Sequence, residues 1–595
     1  MMPGTATHSK DLLCFLAVLA LVGTAFLVSL CVGAYPIPLT ELIGLVSGKA
    51  VNPTARSVFF TLRLPRTFMA AAAGFGLSLS GSVFQTVFRN PLASPDLIGV
   101  ASGASMGAAY AIVFWGGGMA AVSMSAFAGG MLAAVLLLGL VGLSRRRGMA
   151  TFVLAGIVLN TLAQAAVMTV KFLADPERQL STIEFWTMGS FSNVTAGKVR
   201  AILPILLAGT LGLYLLRRQT TLLSLDEDES RMLGVRTTLV RYGVLLCATL
   251  LVSGIVCVSG LIGFVGLIAP HIGRMLLKRN NFDTAVFSGL VGAALLLAAD
   301  CLARTCSAGT AGEHPHFGAR RAVPRLPADP EGGHDMNPPI LLEAEKIRAC
   351  YGSREIIRSA DLHLREGELV ALLGLNGSGK TTLLRSLCGL HRLSGGRCRV
   401  RGIDCAALRE KARARLICYM PQRSGAVYSI RTEEVALMGC NPRLPLFGMP
   451  GEGDRKRVRS IFEQLSIAHL WGSDFLHLSE GQKQLVILAR AIVQDAPAML
   501  LDEPDSALDF VNRHLVFTQI RSVVQGGGRC GLVTMHDPNF ALAYCDRILF
   551  LQNGSICGEV EVARASRSGL QTALSQLYGN VEVLEYAGGY AVVKS

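Results

Sequence analysis

This 595-residue sequence predicts a multi-domain chain: an all-α, polytopic membrane half of about nine to ten spans, followed by an α/β half built on a phosphate-binding loop. Three observations predict it. Hydrophobic residues make up 51% of the chain and charged ones 16%, well under the roughly 25% charged of soluble proteins. The apolar excess falls before residue 304, and the composition after Asn337 is that of an ordinary soluble domain. Within that second half, Gly374-Leu375-Asn376-Gly377-Ser378-Gly379-Lys380-Thr381 fits the pattern GxxxxGK(S/T). The predicted division is therefore 1–304, a linker 305–338, and 339–595.

In the first half, Leu12 to Ala34 is nearly uncharged, too long for a signal-peptide core, and lacks a clear cleavage site, so it reads as a retained span. Further apolar stretches lie near 67–86, 97–115, 119–143, 150–173, 200–216, 238–258, 261–277 and 284–303. With the N-terminus inside, alternation puts Arg145, Arg146, Arg147, Arg217 and Arg218 on the cytoplasmic side, where the positive-inside rule wants them. That rule also accounts for the net charge of +14 without a nucleic-acid partner. Gly74, Gly76, Ser78, Ser80 and Gly81 predict close helix packing. Between Gly260 and Arg274 the glycines, Pro270 and His271 interrupt a hydrophobic run, and irregular backbone at that depth must be buried in protein or meet a partner. The 15 cysteines form no CxxC and no zinc-spaced cluster, so they read as reduced thiols. His314, His316 and His334 fall in a Pro- and Arg-rich linker and read as low-complexity sequence rather than a metal site.

In the second half, the apolar run Leu369 to Leu373 predicts a buried strand before the glycine-rich loop, and Thr382 to Leu390 predicts a helix after it. The chemistry requires that context. Glycines let backbone N–H groups turn inward around phosphates, and the helix N-terminus adds partial positive charge. Lys380 is suited to reach the β- and γ-phosphates of ATP and the Thr381 hydroxyl to ligate Mg²⁺. The predicted nucleotide contacts are Gly374, Asn376, Gly377, Ser378, Gly379, Lys380, Thr381 and Thr382. Ala498 to Leu501 is an apolar strand that runs into two carboxylates, Asp502 to hold Mg²⁺ through water and Glu503 to polarise an attacking water.

The order of motifs in this half resembles an ABC ATPase. By that resemblance Tyr351 stacks on adenine, Gln422 touches Mg²⁺ or the attacking water, and His536 is the switch histidine near the γ-phosphate. Leu478-Ser479-Glu480-Gly481-Gln482 resembles the ABC signature, and Ser506 to Asp509 the loop that crosses between subunits. Two positions depart from the family. Glu480 stands at the signature's second glycine, where an outward rotamer at the helix N-terminus avoids repelling phosphate, so activity is expected to survive. Asp505 stands where Thr or Ser is more usual, a mild change. In ABC proteins the phosphate loop of one ATPase faces the signature of another, so the resemblance implies a homodimer of the chain in which Ser479, Gly481, Gln482 and Asp509 serve the partner's nucleotide.

The first half resembles the permeases for iron-siderophore, haem and cobalamin import. The residues that carry the resemblance are Arg63-Leu64-Pro65-Arg66, Ser80 to Gln85, Arg89 to Asp96 with Gly99 and Ser102, Trp186 to Ser190, and Gly263 to His271. It implies ATP-driven import of a metal chelate across the bacterial inner membrane, with the ATPase domain cytoplasmic and a separate periplasmic or lipid-anchored binding protein delivering the substrate. It also implies that Arg63, Arg66 and Arg304 lie on the external docking face, and that Pro270 and His271 belong to the coupling surface that receives the ATPase stroke. The docking arginines argue against export.

Nine spans from a cytoplasmic start leave the chain outside at Arg304, yet the ATPase must be inside. The family has a tenth span there, and 305–337 contains no apolar stretch of about 18 residues. Burying its arginines in lipid would cost about 2.5–3.5 kcal/mol each. Either a re-entrant segment changes the parity, or the linker is out-of-frame translation of a lost span, with Met336 suiting an ancestral start. The second case would leave a membrane-tethered ATPase whose permease half does not transport.

Overall fold

The computed structural model describes residues 3–32, 37–46, 53–144, 149–306, 339–352, 354–422, 429–506, 508–586 and 589–594. Expectations for Arg145 to Arg147, for the linker histidines and for the tenth span lie outside the described residues. The chain divides into two compact units, Met1–Ser224 with Thr238–Arg325, and Leu225–Thr237 with Leu326–Ser595. The second unit thus includes a short piece of sequence that the continuous division at 304 had left with the first.

The first unit is helical because its long apolar runs leave lipid-exposed backbone no other way to satisfy its polar groups. Among the described residues seven helices are long and apolar enough to cross a membrane: Asp11–Cys31, Pro53–Phe88, Met119–Leu143, Ala150–Leu173, Ala196–Leu215, Thr237–Ser259 and Phe282–Thr305. The expected spans near 97–115 and 261–277 are the shorter helices Val100–Phe114 and Val265–Leu277. At 1.5 Å per residue these reach about 22 Å and about 20 Å, short of a hydrocarbon core about 30 Å thick. Irregular backbone precedes each one: a 3₁₀ turn at Pro95–Ile98, and the segment from Gly260 to Phe264. Gly99 (φ 78°), Gly260 (φ 69°) and Phe264 (φ 66°) all take left-handed backbone there. For a bulky residue such as Phe264 that conformation is an outlier. The irregular segment lines a cavity of about 350 Å³ with Leu77, Ser94, Pro95 and Val252, the setting in which non-helical backbone is tolerated at membrane depth.

The small residues act as expected. Gly74, Gly76, Ser78, Ser80 and Gly81 are all buried in the helix Leu64–Phe88. A Cβ on Gly74 would lie 2.2 Å from the Gly292 carbonyl oxygen, and one on Gly81 only 1.8 Å from that of Gly266. Backbone therefore meets backbone at these crossings. Gly81→Ala is expected to destabilise the membrane unit by about 1–3 kcal/mol, the usual range for overpacking, read as a lowered Tm of the detergent-solubilised protein.

The second unit is built on a ten-stranded sheet in the order Ile403–Asp404, Gly395–Val400, Ile340–Tyr351, Arg354–Arg365, Ser555–Glu561, Arg547–Gln552, Leu369–Leu373, Cys530–Met535, Ala498–Asp502, Ile417–Met420. The last five strands are parallel. Covered on both faces, they are mostly apolar, and Leu369–Leu373 is buried at every position. In register, Leu373 pairs with Met535 and Asp502 with Thr534. The carboxyl ends of four parallel strands therefore come together, and the segments leaving them carry Gly374 to Thr381, Glu503, His536 and Gln422. Ligands bind open α/β sheets at such an edge. A two-stranded hairpin, Val581–Tyr586 with Gly589–Lys594, closes the described chain. Every cysteine whose side chain is described is a free thiol.

Candidate functional site

The loop Gly374 to Gly379 leads into the helix Lys380–Leu387, which starts two residues before the sequence expectation and ends at Leu387. Gly377 (φ 80°) and Gly379 (φ 106°) hold left-handed backbone, and a Cβ on Gly379 would meet Ile357 Cδ1 at 2.8 Å. Glycine is what this turn demands. Lys380 is buried, and its ammonium donates to the Gly374 carbonyl at 2.7 Å and the Leu375 carbonyl at 3.4 Å, across the mouth of the loop. Burial lowers its pKa, against the raising pull of Glu503 and Asp502. Ser378 Oγ is buried with no hydrogen-bond partner among the described residues. An orphaned hydroxyl inside a glycine cradle beside a lysine fits a phosphate oxygen.

Asp502 is 1% exposed, and three hydroxyls donate to it: Thr534 at 2.8 Å, Thr381 at 3.3 Å and Tyr419 at 3.3 Å. Burial pushes its pKa up, while the threonine and tyrosine hydrogen bonds pull it back. Thr381 and Asp502 are thus adjacent oxygen donors, a set that suits Mg²⁺, which binds through one or two protein oxygens plus phosphate and water. Glu503 has left-handed backbone (φ 47°), sparsely populated for a residue with a Cβ, and its N–H donates to Thr534 Oγ1 at 2.8 Å. Its two oxygens are held separately. Gln422 Nε2 donates to Oε2 at 2.5 Å, and His536 Nε2 lies 2.5 Å from Oε1. The structure therefore unites Lys380, Thr381, Gln422, Asp502, Glu503 and His536. It adds Thr534 and Tyr419, which sequence reasoning missed. The available signal for Thr534 was a lone hydroxyl in the otherwise apolar strand Cys530–Met535, where it is fully buried and ties the Asp502 carboxylate to the Glu503 backbone N–H.

The other predicted contacts sit in their own local turns. Ser479 caps the helix Glu480–Gln494 in a reciprocal capping box with Gln482, with Gly481 in the first turn. The Glu480 side chain is 67% exposed and paired with Lys483 at 2.8 Å. Glu480→Ala is expected to leave the ATP turnover rate within about twofold, since an exposed pair of this kind contributes about 0–1 kcal/mol. A steady-state ATPase assay checks it. Asp509 caps the helix Phe510–Gln525 through the Asn512 N–H at 2.8 Å. Tyr351 is half exposed, with its ring 4.3 Å from that of His391. Asn376 is exposed, Thr382 is half-buried in the first turn after Lys380, and Asp505 is buried, which raises its pKa.

The docking expectation for the first half needs correction. Arg63 and Arg304 are 0% and 2% exposed, so neither presents its charge outward. Arg63 donates to the Leu30 carbonyl at 2.6 Å. Asp300, which the sequence reading passed over, binds Arg66 at 2.8 Å and Arg304 at 3.0 Å, and Arg304 also donates to Ser29. A carboxylate one turn before Arg304 makes burial of the guanidinium tolerable, because an unpaired charge there would be far costlier. Only Arg66 retains a partly exposed side chain, at 19%.

The coupling expectation names Pro270 and His271. Pro270 is buried in the helix Val265–Leu277 of the first unit, and His271, in the same helix, is exposed. The segment from the membrane half that packs within the ATPase unit is Leu225–Thr237. Its helix Glu227–Met232 places Glu229 against Arg490, 3.0 Å apart with side chains 3% and 4% exposed. Asp228 pairs with Arg385, Gln494 donates to the Met232 carbonyl at 3.1 Å, and Asn441 to that of Leu233 at 2.6 Å. Met232 joins the hydrophobic core beneath the sheet. The run Asp226 to Arg231, a charged island in apolar sequence, was the signal.

A nucleotide-binding α/β unit with paired carboxylates at its phosphate loop, on one chain with a multi-pass helical membrane unit, defines an ATP-hydrolysing membrane transporter. Residues 19–312 match the FecCD transport family, and residues 357–506 match the ABC transporter family. The molybdate import system permease protein MolB of Haemophilus influenzae is 38% identical over 296 residues, 49% of this chain and 86% of its own length. The hemin import ATP-binding protein HmuV of Pseudomonas entomophila is 37% identical over 219 residues, 36% of this chain and 84% of its own. A solved metal-chelate type ABC transporter in an inward-facing conformation is 33% identical, with a TM-score of 0.46, covering 50% of this chain and 92% of that one. The chain belongs to the FecCD transport family and carries its ABC transporter ATPase on the same polypeptide: it is an import-type ABC transporter.

Proposed function

We propose that this chain imports a metal chelate, an iron-siderophore complex, haem or cobalamin, across the bacterial inner membrane as a homodimer fed by a separate binding protein. The observation that carries the reading is the joining, in one chain, of an import-family permease and an ATPase unit in which Thr381, Gln422, Asp502, Glu503 and His536 converge. Relatives named for haem and cobalamin import support the substrate class. The relative named for molybdate import makes that oxyanion the competing cargo.

In this reading the loop Gly374 to Thr381 binds the nucleotide phosphates, with Lys380 turning from its own loop carbonyls to the β- and γ-phosphates. Thr381 and Asp502, with Gln422 beside them, hold Mg²⁺, which neutralises phosphate charge when bound. Glu503, oriented by Gln422 and His536, takes a proton from the attacking water. Ser479 and Gly481 of a second copy complete the site, so closure of the dimer is tied to nucleotide. Leu225–Thr237 joins Pro270 and His271 in the coupling role, and of the three docking arginines Arg66 is the one with a partly exposed side chain.

A second reading, a tethered ATPase that does not transport, is favoured by the linker 305–338, which lacks the family's tenth apolar span. Uptake of radiolabelled ferric siderophore, haem, cobalamin and molybdate into cells carrying the chain and its binding protein separates the readings. ATP-dependent accumulation of one chelate, absent with Lys380→Ala, is expected. Hydrolysis with no uptake of any of the four supports the tethered ATPase, molybdate uptake alone moves the chain to the oxyanion class, and a fully active complex holding one copy sinks the homodimer.

A further inference from the structure

Catalysis as read above needs the His536 ring within hydrogen-bond reach of Glu503, yet His536 lies in a turn and not on a strand. The strand Cys530–Met535 ends just before it, and the helix Pro538–Tyr544 begins two residues later. Asp537 caps that helix by accepting the Asn539 N–H at 2.9 Å, which fixes the turn locally. Two further holds come from the far end of the chain. Tyr578 Oη donates to the His536 carbonyl at 3.4 Å. The Asn539 carboxamide exchanges a reciprocal pair with the backbone of Val592, Nδ2 donating to its carbonyl at 3.1 Å and Oδ1 accepting its N–H at 2.7 Å. Such a pair reproduces the exchange between neighbouring strands, so the edge of the C-terminal hairpin extends onto the histidine turn.

The hairpin is itself firmly anchored. Gln571 repeats the carboxamide device, donating to the Val581 carbonyl at 2.5 Å and accepting the Val583 N–H at 2.7 Å. Arg567 Nε donates to the Val583 carbonyl at 2.7 Å, and Val583 is fully buried. Leu570, Leu574 and Leu577 bury the inner face of the helix Arg567–Tyr578. Burial, with the Asp537 carboxylate adding to it, pushes the Tyr578 hydroxyl up to about 12, so it keeps its proton and remains a donor at physiological pH.

We propose that the C-terminal helix and hairpin, Arg567 to Lys594, brace the turn that carries His536, with Asn539 and Tyr578 as positioning residues for ATP hydrolysis. The inference rests on the reading of His536 as the switch histidine. Neither residue touches the phosphate loop, so their loss acts on turnover and not on nucleotide affinity. Each hold is one of several on the turn, so removing one is expected to cost roughly tenfold in kcat, below the 10² of a full 1 Å misplacement.

The test uses the full chain in lipid nanodiscs and compares Asn539→Ala, Asn539→Asp and Tyr578→Phe with Tyr590→Phe, which changes a hairpin contact away from the turn. Expected are a roughly tenfold lower kcat for Asn539→Ala and Tyr578→Phe. The KM for ATP should stay within about twofold, with partial rescue by Asn539→Asp, which keeps an acceptor for the Val592 N–H, and no change for Tyr590→Phe. In a His536→Ala background, measured by single turnover, Asn539→Ala should add less than about twofold, because the residue it positions is gone. A kcat within about twofold of the parent for both variants overturns the proposal. So does an equal loss in both backgrounds that tracks a fall in Tm. If His536→Ala alone leaves kcat unchanged, the role of His536 fails, and the brace with it.

Discussion

Glu503→Gln is expected to lower the ATP turnover rate by about 10²–10⁴, the range a positioned general base contributes, while ATP binding persists. The substitution keeps the shape of the side chain and one oxygen for the His536 N–H, replaces the oxygen that accepts from Gln422 with an amide, and removes the charge that draws a proton from water. Lys380, the glycine cradle and the hydroxyls around Asp502 are untouched, so nucleotide should accumulate unhydrolysed on the protein. Phosphate release and retention of labelled ATP after gel filtration measure the two halves of this statement. A variant that still hydrolyses within about tenfold of the parent would move the base elsewhere, with His536 the first candidate. A variant that loses ATP altogether would make Glu503 a binding residue.

The next largest effect is expected at Glu229→Ala. It leaves Arg490, only 4% exposed, without its carboxylate inside the ATPase unit. Breaking one side of a buried pair typically costs 3–5 kcal/mol, so chemical or thermal unfolding of this unit should shift by about that amount. Replacing both partners, Glu229→Leu with Arg490→Met, should recover most of the loss, because no charge is then stranded. The chain runs from the helix Glu227–Met232 almost directly into the membrane helix Thr237–Ser259. Substrate uptake is therefore expected to fall further than ATP hydrolysis in Glu229→Ala. Parallel losses in both assays, with no change in unfolding, would show that the pair carries neither stability nor coupling.

Much of the nucleotide site is legible along the chain because its parts are local. A glycine turn, a lysine and a hydroxyl must be adjacent to cradle phosphate, and a pair of carboxylates must end a buried strand to reach it. Gln422 and His536 are legible only through the resemblance to ABC ATPases, and the structure adds that both grip the same carboxylate. Residues whose role depends on a distant partner leave no such trace. Thr534 looks like an ordinary strand residue until it is seen to bond Asp502 and the Glu503 backbone at once. Arg66 and Asp300 are 234 positions apart, and Glu229 and Arg490 are 261 apart. Nothing in the spacing of either pair announces a contact. The arginines read as an outward docking face illustrate the cost of that blindness, since a buried carboxylate turns a surface charge into an internal strut.

The membrane half shows the same split. Apolar length alone determined that the chain crosses a membrane, because hydrocarbon tolerates only backbone that satisfies its own hydrogen bonds. Small-residue spacing on the helix from Leu64 to Phe88 also determined that helices there would pack tightly. Two expected spans proved short, with irregular backbone around Gly99 and Gly260, and only the folded structure could decide this: a cavity and neighbouring helices shelter those groups, and hydropathy carries no record of neighbours. In the same way, sequence by itself determined a phosphate-binding ATPase joined to a polytopic membrane half, and that half matches the FecCD transport family. Tertiary structure decided that Leu225–Thr237 packs with the ATPase unit, that Asp300 neutralises Arg66 and Arg304, and that Gln422 and His536 divide the two oxygens of Glu503. Local chemistry is written in order along the chain, whereas the pairing of buried charges depends on which distant residues the fold makes neighbours.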